Sequence, residues 1–117
     1  MGIADCGNTR RDGRQAVDIA CEVMTNRSEL AALLRCTDLS LGGARIRSGI
    51  APAKGELVVL SFKPPSERQE LTLFAKVCHV IRRGRAVRGF GVEFLRTSAR
   101  ERQALSVAMG QTVQLAC

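Results

Sequence analysis

Apolar residues recur at every second position through most of this chain, and that period limits the fold more than any other feature. Val17, Ile19, Cys21 and Val23 are apolar, while Asp18 and Glu22 fall between them. Side chains of a strand point alternately to opposite faces, so the pattern describes a strand buried on one side. Ala44, Ile46 and Ser48 alternate with Arg45 and Arg47, giving a second such strand whose outer face carries arginine. The segment ELVVLSF (56–62) reads as a mostly apolar strand, entered through the turn-prone Ala53-Lys54-Gly55 and ended by Lys63-Pro64-Pro65-Ser66. Leu71, Leu73, Ala75 and Val77 keep the period, and His79 and Ile81 extend it in the same register. Arg82-Arg83-Gly84-Arg85 reads as a hairpin turn, with a return strand over residues 86–95. Residues 28–36, SELAALLRC, are ambiguous: Ser28 suits the cap of a short helix through Leu34, yet the length also suits a strand. A strand over 33–38 is the preferred reading, interrupted at Gly42-Gly43 by a bulge or tight turn.

Helical signals concentrate near the end. Ser98 and Glu101 have the spacing of a capping box, followed by Leu105 and Met109. Six short strands and one terminal helix predict an all-β fold with a terminal helix, a small six-stranded antiparallel β-barrel. A closed barrel leaves no exposed sheet edge and offers a rigid wall for recognition. With 117 residues the chain suits one domain. The expected organisation is a flexible leader over 1–9, the barrel with its helix over 10–110, and a tail over 111–117.

Composition narrows the chemistry. Aromatic residues make up 3% of the chain, four Phe with no Trp or Tyr, so the core rests on Val, Leu, Ile and Ala. That scarcity also argues against the stacking platforms of single-strand nucleic-acid binders. The formal net charge is +7, and Lys54, Lys63 and Lys76 are the only lysines among eighteen basic residues. Arginine presents a planar fork that fits phosphate and the Hoogsteen edge of guanine, where lysine presents a point charge; a merely solvated basic surface accounts equally well for the composition alone. Five cysteines (Cys6, Cys21, Cys36, Cys78, Cys117) have no CxxC spacing, so neither a zinc nor a redox motif is expected. Cys21, Cys36 and Cys78 read as small core or wall residues in a reducing compartment. His79 is the single histidine and reads as a core or barrel-wall residue rather than a catalytic base. With no clear carboxylate pair and no GxxxxGK(S/T), no catalytic residue, metal or cofactor is expected. The N-terminal residues lack the apolar run of a signal peptide and no stretch reaches the length of a membrane span, so a cytoplasmic protein without membrane insertion is expected.

Two short segments carry the candidate binding chemistry. The first is Arg10-x-x-x-Arg14, with Arg11 between, just ahead of the first strand. The second is Asp38-x-Ser40-x-x-Gly43 within CTDLSLGGARI, with residues 15–37 separating the two. Each residue also has a plain structural reading: a solvated basic leader for the arginines, an Asx-type turn for Asp38 and Ser40, and a backbone role for Gly43. Present together, in this order and flanking a strand, they resemble the RxxxR and (D/N)xSxxG signature of PilZ domains. The segment RGFGVEF (88–94) is similar to the closing strand of that family, and a terminal helix commonly follows it there. The resemblance covers about residues 10–109.

The resemblance implies a ligand, cyclic di-GMP, held by Arg10, Arg11, Arg14, Asp38, Ser40 and Gly43. The chemistry suits it. Arginine pairs with guanine O6 and N7 or grips a phosphate, and a carboxylate accepts from the guanine N1–H and N2–H₂ edge. Ser40 stands on the same face as Asp38 if the strand is regular there, and a glycine admits close backbone approach. The implied role is a receptor or adaptor that orders its leader on binding and signals to an unidentified protein effector, in motility or exopolysaccharide control, with no DNA or RNA partner. Two alternatives stand beside it: a PilZ-like protein-interaction module without ligand, and a basic nucleic-acid-binding module whose affinity falls steeply with salt.

Overall fold

A computed structural model describes residues 14–25, 32–62 and 70–116, with side chains as far as Met109. Six strands appear: β1 (Gln15–Thr25), β2 (Ala32–Leu39), β3 (Gly43–Arg47), β4 (Leu57–Phe62), β5 (Leu71–Arg83) and β6 (Ala86–Phe94). They close into a barrel in the order β1-β2-β3-β6-β5-β4, every pair antiparallel, with β4 returning to β1. One helix, α1 (Ala99–Ala116), follows and packs against β1. The expected fold is thus the observed one. Residues 28–31, which include the candidate cap Ser28, lie outside the described residues, and from Ala32 the chain is strand.

Alternation explains the interior. In β1 the buried residues are Val17, Ile19, Cys21 and Val23, with every intervening side chain from Ala16 to Glu22 exposed. Ile46, Leu60, Leu73, Val77 and Phe90 from the other strands are also fully buried and join them. The tight β5–β6 connection uses Gly84 at φ 62°, a left-handed conformation that a side chain would strain.

The capping box forms as its spacing requires. The Ser98 N–H donates to the Glu101 carboxylate at 2.8 Å, and the Glu101 N–H donates to Ser98 Oγ at 3.1 Å. Leu105 and Ala108, one turn apart, are fully buried in the barrel core. The helix runs past residue 110 to Ala116.

Strict alternation fails at two places that matter. In β2 the pairing slips between Cys36 and Asp38, leaving Thr37 as an extra residue. Without that bulge Asp38 would share the inward face of Cys36; instead Leu39 turns in, fully buried, and Asp38 turns out. In β5 the register shifts between Val77 and His79, with Cys78 as the extra residue of the bulge. The sequence period carries His79 and Ile81 inward with Val77. The bulge reverses them, so Val80 faces Phe90 across the interior ladder and His79 stands on the outer wall.

Candidate functional site

Strand register assembles a site on the outer wall of β2, β3, β6 and β5. Asp38 pairs with Arg45, Arg45 with Gly91, and Gly91 with His79. These four residues form one lateral row across four strands. Arg14, immediately before β1, lies over this row: its Nε is 4.0 Å from Asp38 Oδ1, while Arg45 Nη1 is 3.7 Å from Asp38 Oδ2. One carboxylate therefore faces two guanidinium groups, all three only partly open to solvent, with side-chain exposures of 14% for Arg14, 23% for Asp38 and 31% for Arg45. Both separations are too long for direct hydrogen bonds, so the carboxylate steers the arginines without saturating their donors. Arg45 Nε is buried and has no hydrogen-bond partner. A buried donor in that state costs about 1–3 kcal/mol, which an incoming acceptor would recover.

His79 completes the row. Its ring occupies the space above Gly91, where a Cβ would come within 2.5 Å of Cε1 and 3.0 Å of each ring nitrogen. Glycine at 91 is thus what lets the imidazole lie down on the sheet. Partial burial, and then the positive charges of Arg45, Arg14 and Lys54, hold its pKa below the usual 6.5, so the ring is neutral at neutral pH. Arg14, Arg45, His79 and Gly91 line a common small groove with Cys78. A groove with two arginine forks, a carboxylate between them and a neutral flat ring can hold an anion and read a donor-rich edge beside it.

The second motif divides its labour. Asp38 faces the groove. Ser40, past the end of β2, is fully buried, so the regular strand that would set it beside Asp38 is absent. Its Oγ accepts from the N–H groups of Gly42 and Gly43 at 3.2 and 3.1 Å and donates to the Gly43 carbonyl, while the backbone of 40 and 43 closes the turn. Gly43 lies so close to β6 that a side chain would collide with the Val92 carbonyl oxygen. Ser40 and Gly43 therefore fix the β2–β3 turn and, through it, the placing of Asp38 and Arg45. Arg10 and Arg11 lie outside the described residues.

Sequence reasoning missed Arg45 and His79 as members of this cluster. Alternation correctly put Arg45 on the outer face, but only the barrel order reveals which residues stand beside it. His79 was assigned inward by a period that the bulge at Cys78 breaks. Of the cysteines expected as reduced core residues, Cys21 and Cys36 are free and buried, and burial pushes both thiols up to about 12. Cys78 is buried as well, and departs from that expectation only in being disulfide-bonded rather than reduced. Among the described residues no group of histidine, cysteine or carboxylate side chains is arranged to hold a metal ion, and no helix is long and apolar enough to cross a membrane.

A second acid–base pair joins β1 and β2. Arg35 bonds Asp18 at 2.7 Å and, through a second nitrogen, the Asp18 carbonyl at 3.1 Å. That hydrogen bond holds the Asp18 carboxyl below its ordinary range. Both groups are well exposed, so the pair adds little to stability.

Comparison with known proteins fits this geometry. The family model described as PilZ domain matches residues 8–109. The PilZ domain of YcgR from Escherichia coli, solved with c-di-GMP, superposes with a TM-score of 0.75 at 17% identity, covering 92% of this chain and 93% of that one. The motility inhibitor MotI (DgrA) of Bacillus subtilis gives 0.71 at 18% identity, over 86% of this chain and 50% of its own. MrkH of K. pneumonia, described as a c-di-GMP-dependent transcription regulatory factor, gives 0.67 at 18% identity, over 90% and 51%. The chain thus spans about half the length of MotI and MrkH. At these identities the likeness establishes the shared barrel. No curated protein sequence matches the chain.

Proposed function

Because this chain belongs to the PilZ domain family, a family of ligand-binding adaptor modules, we propose that it is a cyclic di-GMP receptor whose binding site is the groove of Arg14, Asp38, Arg45 and His79. The observation that carries this reading is the carboxylate shared between two arginines, one of which keeps a buried, unpartnered N–H. A ligand bearing both phosphate and guanine answers every group there. Its phosphate oxygens accept from Arg14 and Arg45, and a guanine offers N1–H and N2–H₂ to Asp38 once the arginines have turned away. The neutral His79 ring supplies a flat surface beside them. Arg10 and Arg11 would close over the ligand from the leader, completing the RxxxR half of the signature. Ser40 and Gly43 contribute by holding the turn.

In this reading the protein performs no catalysis and acts in the cytoplasm, where the messenger is made. It works by presenting an altered surface to a protein effector, and the family resemblance points to motility or exopolysaccharide control. The domain would comprise residues 10–110, with 1–9 as leader and 111–117 as tail. The reading includes no DNA or RNA partner.

Calorimetric titration of the purified protein with cyclic di-GMP, cyclic di-AMP and GTP tests the proposal, repeated on Arg14→Ala and Asp38→Ala. The guanine dinucleotide alone should bind, with each variant weakened roughly 10- to 100-fold, the loss of one charge-assisted contact. Equal binding by the variants would reject the site. Salt-steep binding to arbitrary nucleic acid would favour a nucleic-acid module instead.

A further inference from the structure

Strand β4 is apolar on both faces, although only one face of a barrel strand meets the core. Val58, Leu60 and Phe62 point inward and are buried, whereas Leu57 and Val59 stand on the outer wall, Leu57 with 51% of its surface exposed. Register continues this wall to either side. Met24 pairs with Val59 and Val59 with Phe74, and the Leu95 N–H donates to the Phe74 carbonyl at 2.9 Å as the chain leaves β6. Met24, Val59, Phe74 and Leu95 therefore form one lateral apolar row, with Leu57 beside it along β4. Phe74 is 62% exposed, while the other three phenylalanines, Phe62, Phe90 and Phe94, are buried.

Single apolar side chains on a surface are ordinary, but these are contiguous, on a wall that alternation elsewhere keeps polar. The charges at the rim give the patch a direction. Glu22 stands one row from Met24 along β1, in register with Ser61 and Thr72, whose hydroxyls meet at 3.2 Å. Lys76 stands one row from Phe74 along β5 in the opposite sense, in register with Leu57. The two charges thus occupy diagonally opposite corners, with Val59 at the centre. Both are exposed, and neither has an ion-pair partner among the described residues.

A patch laid out in this way is complementary to itself. Let two copies face each other across a two-fold axis that lies in the wall, through Val59 and perpendicular to the Glu22–Lys76 diagonal. Each Glu22 then meets the partner's Lys76, the two contacts being equivalent, and apolar surface covers apolar surface between them. A foreign protein would need both an apolar face and the inverse charge diagonal, and a second copy has both by symmetry. We propose that the outer wall of β1, β4 and β5 is the interface of a homodimer of this chain, with Phe74 as its apolar anchor and two Glu22–Lys76 pairs setting its register. Five apolar side chains make a patch smaller than the about 800 Å² per partner of a standard interface, so the dimer is reversible, in the micromolar range. The interface goes beyond the cyclic di-GMP reading and stands whether or not the Asp38–His79 row binds that ligand.

Sedimentation equilibrium over a micromolar concentration series tests it, on the native chain, Phe74→Ser, Glu22→Lys and Lys76→Glu, with thermal melts of each. The native chain should be a dimer that dissociates on dilution. Phe74→Ser, an exposed change that leaves the core alone, should weaken the dimer at least roughly tenfold. Glu22→Lys and Lys76→Glu should each weaken it too, because each sets like charges against one another at both contacts. An equimolar mixture of those two variants should dimerise again, since a mixed pair has opposite charges at both contacts. Cyclic di-GMP titrated into Phe74→Ser should behave as with the native chain, which separates failure of the interface from failure of the groove. A dimer that survives Phe74→Ser, or a mixture of the two charge variants that stays monomeric, overturns the proposal. So does a native chain that is monomeric throughout the series, which would leave the wall to a protein of another kind.

Discussion

Gly91→Ala separates site from scaffold. Three glycines of the β3–β6 region lack room for a side chain, but for different reasons. At Gly43 and Gly89 the obstacle is backbone, the carbonyl oxygens of Val92 and Ile46. At Gly91 it is the His79 ring, 2.5 Å from the position of the new carbon. A paired strand cannot move aside, so Gly43→Ala and Gly89→Ala carry an overpacking penalty of about 1–3 kcal/mol. A ring can rotate. Alanine at 91 relieves the conformational entropy of glycine, about 0.5–1 kcal/mol, against a displaced rotamer of similar cost, about 0.5–1.5 kcal/mol. The expected net change is within about 1 kcal/mol of zero. For a chain of this size each kcal/mol shifts the melting temperature by roughly 4 °C. Circular-dichroism melts should therefore leave Gly91→Ala within about 4 °C of the native protein, with Gly43→Ala and Gly89→Ala lower by roughly 4–12 °C. Ligand binding should divide the variants the other way. To restore ordinary contact the imidazole must retreat about 1 Å across the groove, and cyclic di-GMP affinity should drop by roughly tenfold or more in Gly91→Ala. A Gly91→Ala protein that melts as low as Gly43→Ala, or that binds like the native chain, refutes the assignment of the ring to the groove.

Other consequences are accessible to simple measurements. Asp38→Asn should change stability by no more than about 1 kcal/mol, since both of its ion pairs are long and partly solvated, while abolishing the preference for guanine over adenine dinucleotide; urea midpoints and paired titrations read the two effects. Because the folded-state pKa of His79 lies below 6.5, the unfolded chain takes up its proton first as pH falls. Stability should then decline as pH drops below about 6.5 and level off once the folded ring also protonates, and His79→Gln should remove that slope in urea titrations. The phosphates of a bound ligand would favour the protonated ring, so ligand affinity should rise across the same window, and a flat profile would place His79 outside the contact. Leu105→Ala should cost about 2–5 kcal/mol by opening a cavity at the helix-covered end, against about 1 kcal/mol for Ser98→Ala at the exposed cap; a larger effect at the cap would contradict the packing of the helix.

Much of the barrel was legible because its signal is local. Val17 to Val23 announce a half-buried strand within seven residues, and Ser98 with Glu101 announce the helix start within four. The site was harder, because its members meet only through closure. Asp38 and Arg45 lie on consecutive strands, one legible as a site residue and the other only as an outer-face arginine, and their neighbour His79 is 34 residues beyond Arg45 and reaches it across β6. Nothing in period-two reasoning signals a bulge, and the two bulges at Thr37 and Cys78 are what aim Asp38 and His79 outward. Ser40 was selected for its hydroxyl chemistry; what its neighbours require of that hydroxyl is a turn, a demand visible only once Gly42 and Gly43 are seen donating to it.

The lateral row has a mechanical corollary. Asp38, Arg45, Gly91 and His79 belong to four strands joined edge to edge, with ladder hydrogen bonds crossing each seam. A rigid molecule gripping both ends of that row would act as a clasp across three seams at once, while the seams flanking β4 would receive no such reinforcement. Amide exchange in the complex should slow most in β2, β3, β6 and the far half of β5, so that occupancy converts a uniformly laced cylinder into one with a stiff side and a compliant side.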